Sequence, residues 1–268
     1  MSVKSLLNNK NFKSIINEIS DVAGYLWNKN WAEANAGNIS VILESRLYLL
    51  NKKLFSEKIP LQKSYNYLAN ELLLITSSGS RMRDIRKNPL DYLCLIIIDS
   101  KGTSYKLYNL SGNVLQPTSE IKTHLEIQNQ LRKNKSKCKV VLHTHPSEII
   151  ALTCITKYKS EKSFNNLIKT IHPEILFSFP EGVAYLKYLL TGSMKLARNT
   201  AVKFDKYKLC IWEMHGVVSI GKNLSEAFDY IDIIAKTAKL YFLCKSSNQK
   251  FEGLKKSQID ELKNAIKK

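Results

Sequence analysis

Apolar residues recur at helical spacing near the start of the chain. Phe12, Ile15, Ile16, Ile19, Val22, Ala23, Leu26 and Trp27 form one stripe, which predicts an amphipathic helix ending near Asn28. The pattern then changes: "NWAEANAGNISVIL" is a polar, small-residue turn running into a β-branched strand from Ile39 to Leu43. Residues 44 to 70 keep no period and read as a loop or hairpin. "ELLLITSSGSRMRDI" predicts a strand and then a Ser/Gly loop, and "YLCLIIIDSKGTSYKLYNL" predicts two strands about a Lys-Gly turn. In "PTSEIKTHLEIQNQL" Pro117 and Thr118 precede a helix with Glu120 in its first turn and Ile121, Leu125, Gln128 and Leu131 on one face. A strand from Lys139 to His145 and a helical stretch follow. "EILFSFPEGVAYL" predicts two short strands, "GSMKLARNTAVKF" a helix, and "KLCIWEMHGVVSIG" a strand, a polar interruption and a strand. The last long helix starts near Asn223 and Ser225, with Ala227, Ile231, Ile234, Ala235, Ala238, Tyr241 and Phe242 on its stripe. No repeat and no Pro- or Gly-rich linker divides residues 1–268, so a single α/β domain is expected.

Composition narrows the function classes. With 268 residues, 44% of them hydrophobic and 24% charged, the chain can bury a sizeable core. It has no run of about 18 apolar residues, and "MSVKSLLNNKNFKSII" lacks the apolar region and cleavage site of a signal peptide; a cytoplasmic protein that spans no membrane is expected. Five cysteines, scattered and without a Cys-x-x-Cys pair, argue against a disulfide framework or a thiolate metal site. The net charge of +18 invites an anionic partner. Its 41 Lys and Arg are spread along the chain, however, densest in "LRKNKSKCK" and "LKKSQIDELKNAIKK", and no nucleic-acid-binding motif accompanies them. A solvated Lys-rich surface is therefore expected in place of a nucleic-acid site, with a field that helps attract a phosphorylated substrate.

The candidate chemistry centres on "VVLHTHPSEIIALT". Alternate strand residues face one side, so His143 and His145 look into one space. His215, in "WEMHGVV", supplies a third imidazole from a distant strand end, beside Gly216, which permits tight backbone. Three protein ligands with an open fourth position are what catalytic zinc uses, and neutral nitrogen donors favour zinc over magnesium or calcium. By spacing alone the alternative of ordinary polar residues at strand ends stays open. Glu120 reads either as a catalytic carboxylate or as a first-turn acid favouring the helix dipole. His124, one turn on, is either a fourth ligand or an orienting group behind the site. His172, between Ile171 and Pro173, reads as a turn residue, and Trp212 and Met214 as packing.

"NAGNIS", "ITSSGS", "PTSE", "HTHP" and "MHGVVSIG", in this order, resemble the class II aldolase/adducin family from about residue 20 to residue 245. "HTHPSEIIALT" and "FPEGV" make the chain most similar to the family's ketose-1-phosphate aldolases. The resemblance implies a mixed, mainly antiparallel central sheet flanked by helices, with a Lys-rich C-terminal tail from about residue 246. It implies that His143, His145 and His215 hold zinc and that Glu120 moves a proton at the carbon beside the ketone. It implies further that Asn35, Asn38, Ser78, Thr118 and Ser119 hold the substrate phosphate. Glu174 corresponds to a glutamate reaching into a neighbouring subunit's site, and members are usually homotetramers with active sites at subunit interfaces. Such chemistry needs a fixed positive charge for the negative charge left by carbon–carbon cleavage, and no reactive lysine. Two departures concern the phosphate loops: Ala36 and Ser77 stand where relatives have glycine, which strains the loop if either position needs positive φ. The alternatives are another phosphorylated ketose as substrate, or an adducin-like interaction module; adducin-like heads lose metal ligands, whereas all three histidines persist here.

Overall fold

A computed structural model describes residues 6–43, 56–113 and 115–266. Among these, nine strands form one sheet: β1 (Asn38–Ile42), β2 (Ile59–Pro60), β3 (Leu72–Thr76), β4 (Leu93–Ile98), β5 (Ser104–Asn109), β6 (Val140–Thr144), β7 (Ala184–Leu186), β8 (Leu209–Trp212) and β9 (Gly216–Gly221). Their order is β2-β5-β4-β3-β1-β6-β9-β8-β7, and every neighbouring pair is antiparallel except β7 with β8. This is the expected mixed, mainly antiparallel α/β architecture.

Both faces of the sheet are covered, which explains why β1, β3 and β6 are buried at every position. One face carries Ile39, Val41, Leu72, Leu74, Val140, Leu142 and Val217 against α1 (Lys10–Asn28) and α8 (Leu224–Ser246). These two helices are the sequence stripes realised, and each starts at an asparagine cap: Asn9 accepts from Phe12 N and Asn223 from Glu226 N. The opposite face carries Val141, Cys210, Val218 and Ile220 beneath α3 (Ile121–Lys133) and α7 (Met194–Lys203), which pack on each other. Each fully buried Leu, Ile or Val side chain in these layers contributes about 1.5–3 kcal/mol of transfer free energy. The remaining helices are α2 (Met82–Ile85), α4 (Ser147–Cys154), α5 (Glu161–Ile171), α6 (Glu174–Ser178) and α9 (Lys256–Ile266). No helix among the described residues is long and apolar enough to cross a membrane.

Several expectations need correction. Glu174–Ser178, read as a strand in "EILFSFPEGVAYL", is the helix α6; only Ala184–Leu186 is extended. Pro173 enters α6 in the helical region, and Ile175, Leu176 and Phe179 are buried while Phe177 is exposed, a helical spacing too short to recognise in five residues. Glu120 is not in the first turn of α3 but at its N-cap, where its side chain caps nothing. The loop or hairpin expected over 44–70 lies partly outside the described residues; its described part contains β2 and a 3₁₀ turn at Asn66–Leu68. His172 is the C-cap of α5, close to Thr237.

Candidate active site

The alternation of strand side chains places Asn38 and Ser40 of β1 and His143 of β6 on the sheet face that α3 covers, with Asn38 directly opposite His143 in the register. The chain leaves β6 at His145. There the amide of His145 and the hydroxyl of Thr144 both donate to the Trp31 carbonyl, at 2.8 and 2.6 Å, fixing the strand end. β8 and β9 are joined by Glu213, Met214 and His215, with Met214 at φ 58° and its amide held by Thr153 Oγ1 at 2.9 Å. This tight turn brings His215 over the end of β6. A Cβ on Gly216 would lie 2.5 Å from the Thr144 carbonyl and 2.8 Å from the His145 ring, so only glycine lets the two strand ends approach.

The three imidazoles converge. Their ring centroids are 4.9 to 5.0 Å apart, and a ligating nitrogen from each lies within 4.8 Å of the other two. His143 Nδ1 faces the Val217 carbonyl at 2.8 Å, an obligate acceptor, and His145 Nδ1 faces the Glu33 carboxylate at 2.8 Å. Both rings therefore commit a proton outward, which turns the lone pairs of their Nε2 atoms inward. Those two nitrogens stand 3.1 Å apart. A single proton would bridge two nitrogens; three converging imidazoles fit a divalent cation. Burial, and next the neighbouring His145 and His215, hold His143 well below its ordinary pKa, and burial together with His145 brings His215 down to about 4. Both are thus neutral donors at physiological pH. Trp212 packs against the His143 and His215 rings, at 4.6 and 5.0 Å between centroids, while its indole N–H donates to Thr200.

Glu120 stands beside this cluster, 8% exposed, with Oε2 3.5 Å from His143 Nε2 and accepting from Asn38 Nδ2 at 2.8 Å. Burial raises its carboxyl above the ordinary range, against the lowering effect of the Asn38 hydrogen bond and of His145. A cavity of about 300 Å³ opens in front of these groups. Asn35, Asn38, Ser78, Thr118 and Ser119 all line it, as do the three histidines and Glu120. The backbone draws these loops together: Ser78 N donates to Gln116 O and Thr118 N to Thr76 O, around a bridge between Ser77 and Pro117. Thr118 and Ser119 sit at the positive end of α3. The substitutions at Ala36 and Ser77 cost no backbone strain, because the glycines of these loops with positive φ are Gly37, at 81°, and Gly79, at 74°, while Ala36 and Ser77 keep negative φ. Glu174 alone of the expected site residues does not line this cavity; it is exposed at the start of α6. Reading the sequence missed Glu33, Thr191 and Gly192, the last two lining the cavity from the segment between β7 and α7.

The chain matches a family model described as the class II aldolase and adducin N-terminal domain over residues 17–242. It belongs to that family, and it is a metal-dependent class II aldolase, a carbon–carbon lyase. It is 31% identical over 263 residues to the rhamnulose-1-phosphate aldolase of Bacteroides thetaiotaomicron, with 97% of both chains covered. To the rhamnulose-1-phosphate aldolase of Listeria welshimeri it is 32% identical over 228 residues, 84% of this chain and 81% of that one. The crystal structure of a sugar-phosphate aldolase from Thermotoga maritima superposes with a TM-score of 0.77 at 31% identity, covering 90% of this chain and 99% of that one.

Proposed function

We propose that the protein is a zinc-dependent aldolase that reversibly cleaves L-rhamnulose 1-phosphate to dihydroxyacetone phosphate and L-lactaldehyde. The observation that carries this reading is the pair of inward-facing Nε2 atoms of His143 and His145, joined by His215 and flanked by the Glu120 carboxylate. The names of the relatives in Bacteroides thetaiotaomicron and Listeria welshimeri support the choice of sugar. Three neutral nitrogen donors favour zinc over oxygen-seeking cations. When bound, the ion supplies a fixed double positive charge that polarises the ketone and tolerates the negative charge developing beside it.

The chain's own residues do the rest. Asn35, Asn38, Ser78, Thr118 and Ser119 offer amide and hydroxyl donors to the substrate phosphate, helped by the dipole of α3. Glu120 delivers a proton to the carbon beside the ketone in cleavage and removes it in synthesis; its raised pKa suits both directions. Glu174 acts in trans, reaching the cavity of an adjacent subunit in a homotetramer whose active sites lie at subunit interfaces, a role consistent with its exposure at the start of α6. A cytoplasmic location suits a substrate whose phosphate charge keeps it from crossing membranes.

A panel of ketose 1-phosphates tests this reading. L-Rhamnulose 1-phosphate is expected to give the highest kcat/KM. A preference for L-fuculose 1-phosphate would transfer the assignment to that sugar, and no cleavage of any ketose 1-phosphate would overturn the reading.

A further inference from the structure

Behind Asn38, on the side away from the cavity, runs a line of buried polar side chains: Ser40 of β1, and His124 and Gln128 of α3, each at most 1% exposed. Their hydrogen directions follow from one end. The Lys139 carbonyl can only accept, so Gln128 turns its Nε2 to it, at 3.0 Å. The second hydrogen of that nitrogen goes to Ser40 Oγ at 3.3 Å, and donation to His124 Nδ1, 2.7 Å away, is what satisfies the buried Ser40 proton. With Nδ1 accepting, a neutral imidazole carries its proton on Nε2, and Nε2 lies 2.6 Å from Asn38 Oδ1. Burial keeps the ring neutral, bringing its pKa down to about 3. Asn38 therefore presents its nitrogen to Glu120 Oε2, at 2.8 Å. From Gln128 onward, through Ser40, His124 and Asn38, each bond donates toward that carboxylate.

We propose that His124 is a positioning residue, which through its Nε2–H fixes the Asn38 amide with the nitrogen toward Glu120 and so holds the carboxylate where proton transfer occurs. This rests on the reading of Glu120 as the proton-transferring group. If Asn38 were turned over, its carbonyl oxygen would face a carboxylate oxygen, two acceptors with no hydrogen between them. The other role open to His124, a fourth metal ligand, is excluded because Ser40 and Asn38 occupy both of its ring nitrogens.

The test begins with nitrogen NMR of the full chain labelled at its five histidines. His124 is expected as the neutral Nε2–H tautomer, unchanged by chelation or by added zinc; an Nδ1–H tautomer would overturn the proposal. Alongside it, His124→Leu is expected to lower kcat roughly 10- to 100-fold, more than it raises KM, with metal content unchanged. His124→Gln, whose amide can donate to Asn38 Oδ1, is expected to recover most of the loss. A leucine variant with the parent's kcat, or equal impairment of both variants, would count against the proposal. Should the leucine variant fail to fold, the tautomer in the parent decides. A parent inactive on every ketose 1-phosphate would defeat the functional reading, and the tautomer alone would then decide whether the hydrogen-bond line runs in the direction proposed.

Discussion

The residues that make the site work divide into those that face the cavity and those that aim them. Glu120 is of the first kind. Replacing it by Gln keeps shape and the Asn38 contact but removes the proposed proton carrier, so metal content should be retained while proton exchange at the dihydroxyacetone phosphate carbon slows roughly 10²- to 10⁴-fold. Isotope exchange followed by NMR reads this directly, and an unchanged rate would move the base elsewhere. Glu33 is of the second kind: its carboxylate fixes the His145 ring at 2.8 Å. Glu33→Ala should weaken metal affinity roughly 10- to 100-fold, measured by competition with a chromophoric chelator, with the fold unaltered. The histidines and Glu120 were legible in the sequence because strand alternation and the order of short motifs mark them. Glu33, Thr191 and Gly192 were not, since only the closure of distant loops brings them to the site, and nothing in their local pattern distinguishes them from turn residues.

Among the elements, the start of α5 ties three parts of the fold together through one side chain. Glu161 accepts from Lys203 Nζ of α7 at 2.7 Å, from the Tyr207 hydroxyl at 2.7 Å and from the Tyr185 amide of β7 at 3.2 Å. Burial works to raise this carboxyl, but those hydrogen bonds and the Lys203 charge outweigh it and hold the pKa below the ordinary value. Unfolding returns the group to about 4.3. Its stabilisation is therefore complete above that pH and is lost as pH falls through the lower folded value. Glu161→Gln should be less stable than the parent near neutrality and lose less on acidification; chemical denaturation from about pH 7 to about pH 3 checks this, and parallel curves would refute it. The helices α1 and α8 were readable because their apolar stripes run over several turns, and β8 and β9 because a polar interruption separates two β-rich runs. The helix α6 was misread because five residues span barely more than one turn, and apolar side chains in so short a run fit either period.

For the whole molecule, the placement of Glu174 outside its own chain's cavity and the cis cluster of Glu120 and the histidines make an experiment on assembly decisive. Glu120→Gln and Glu174→Ala chains, each inactive alone, should regain measurable activity when co-expressed, because a mixed assembly of the proposed homotetramer would contain sites with both native groups; no recovery, or a monomer by light scattering, would remove the in-trans role. In the proposed mechanism catalysis depends on a divalent cation held by His143, His145 and His215, which could hold one. The most direct measurement is zinc per chain set against the cleavage rate of L-rhamnulose 1-phosphate through chelation and readdition. The rate is predicted to rise in proportion to bound zinc and to saturate at one ion per chain; a metal-free chain that cleaves the sugar at full speed would contradict this dependence.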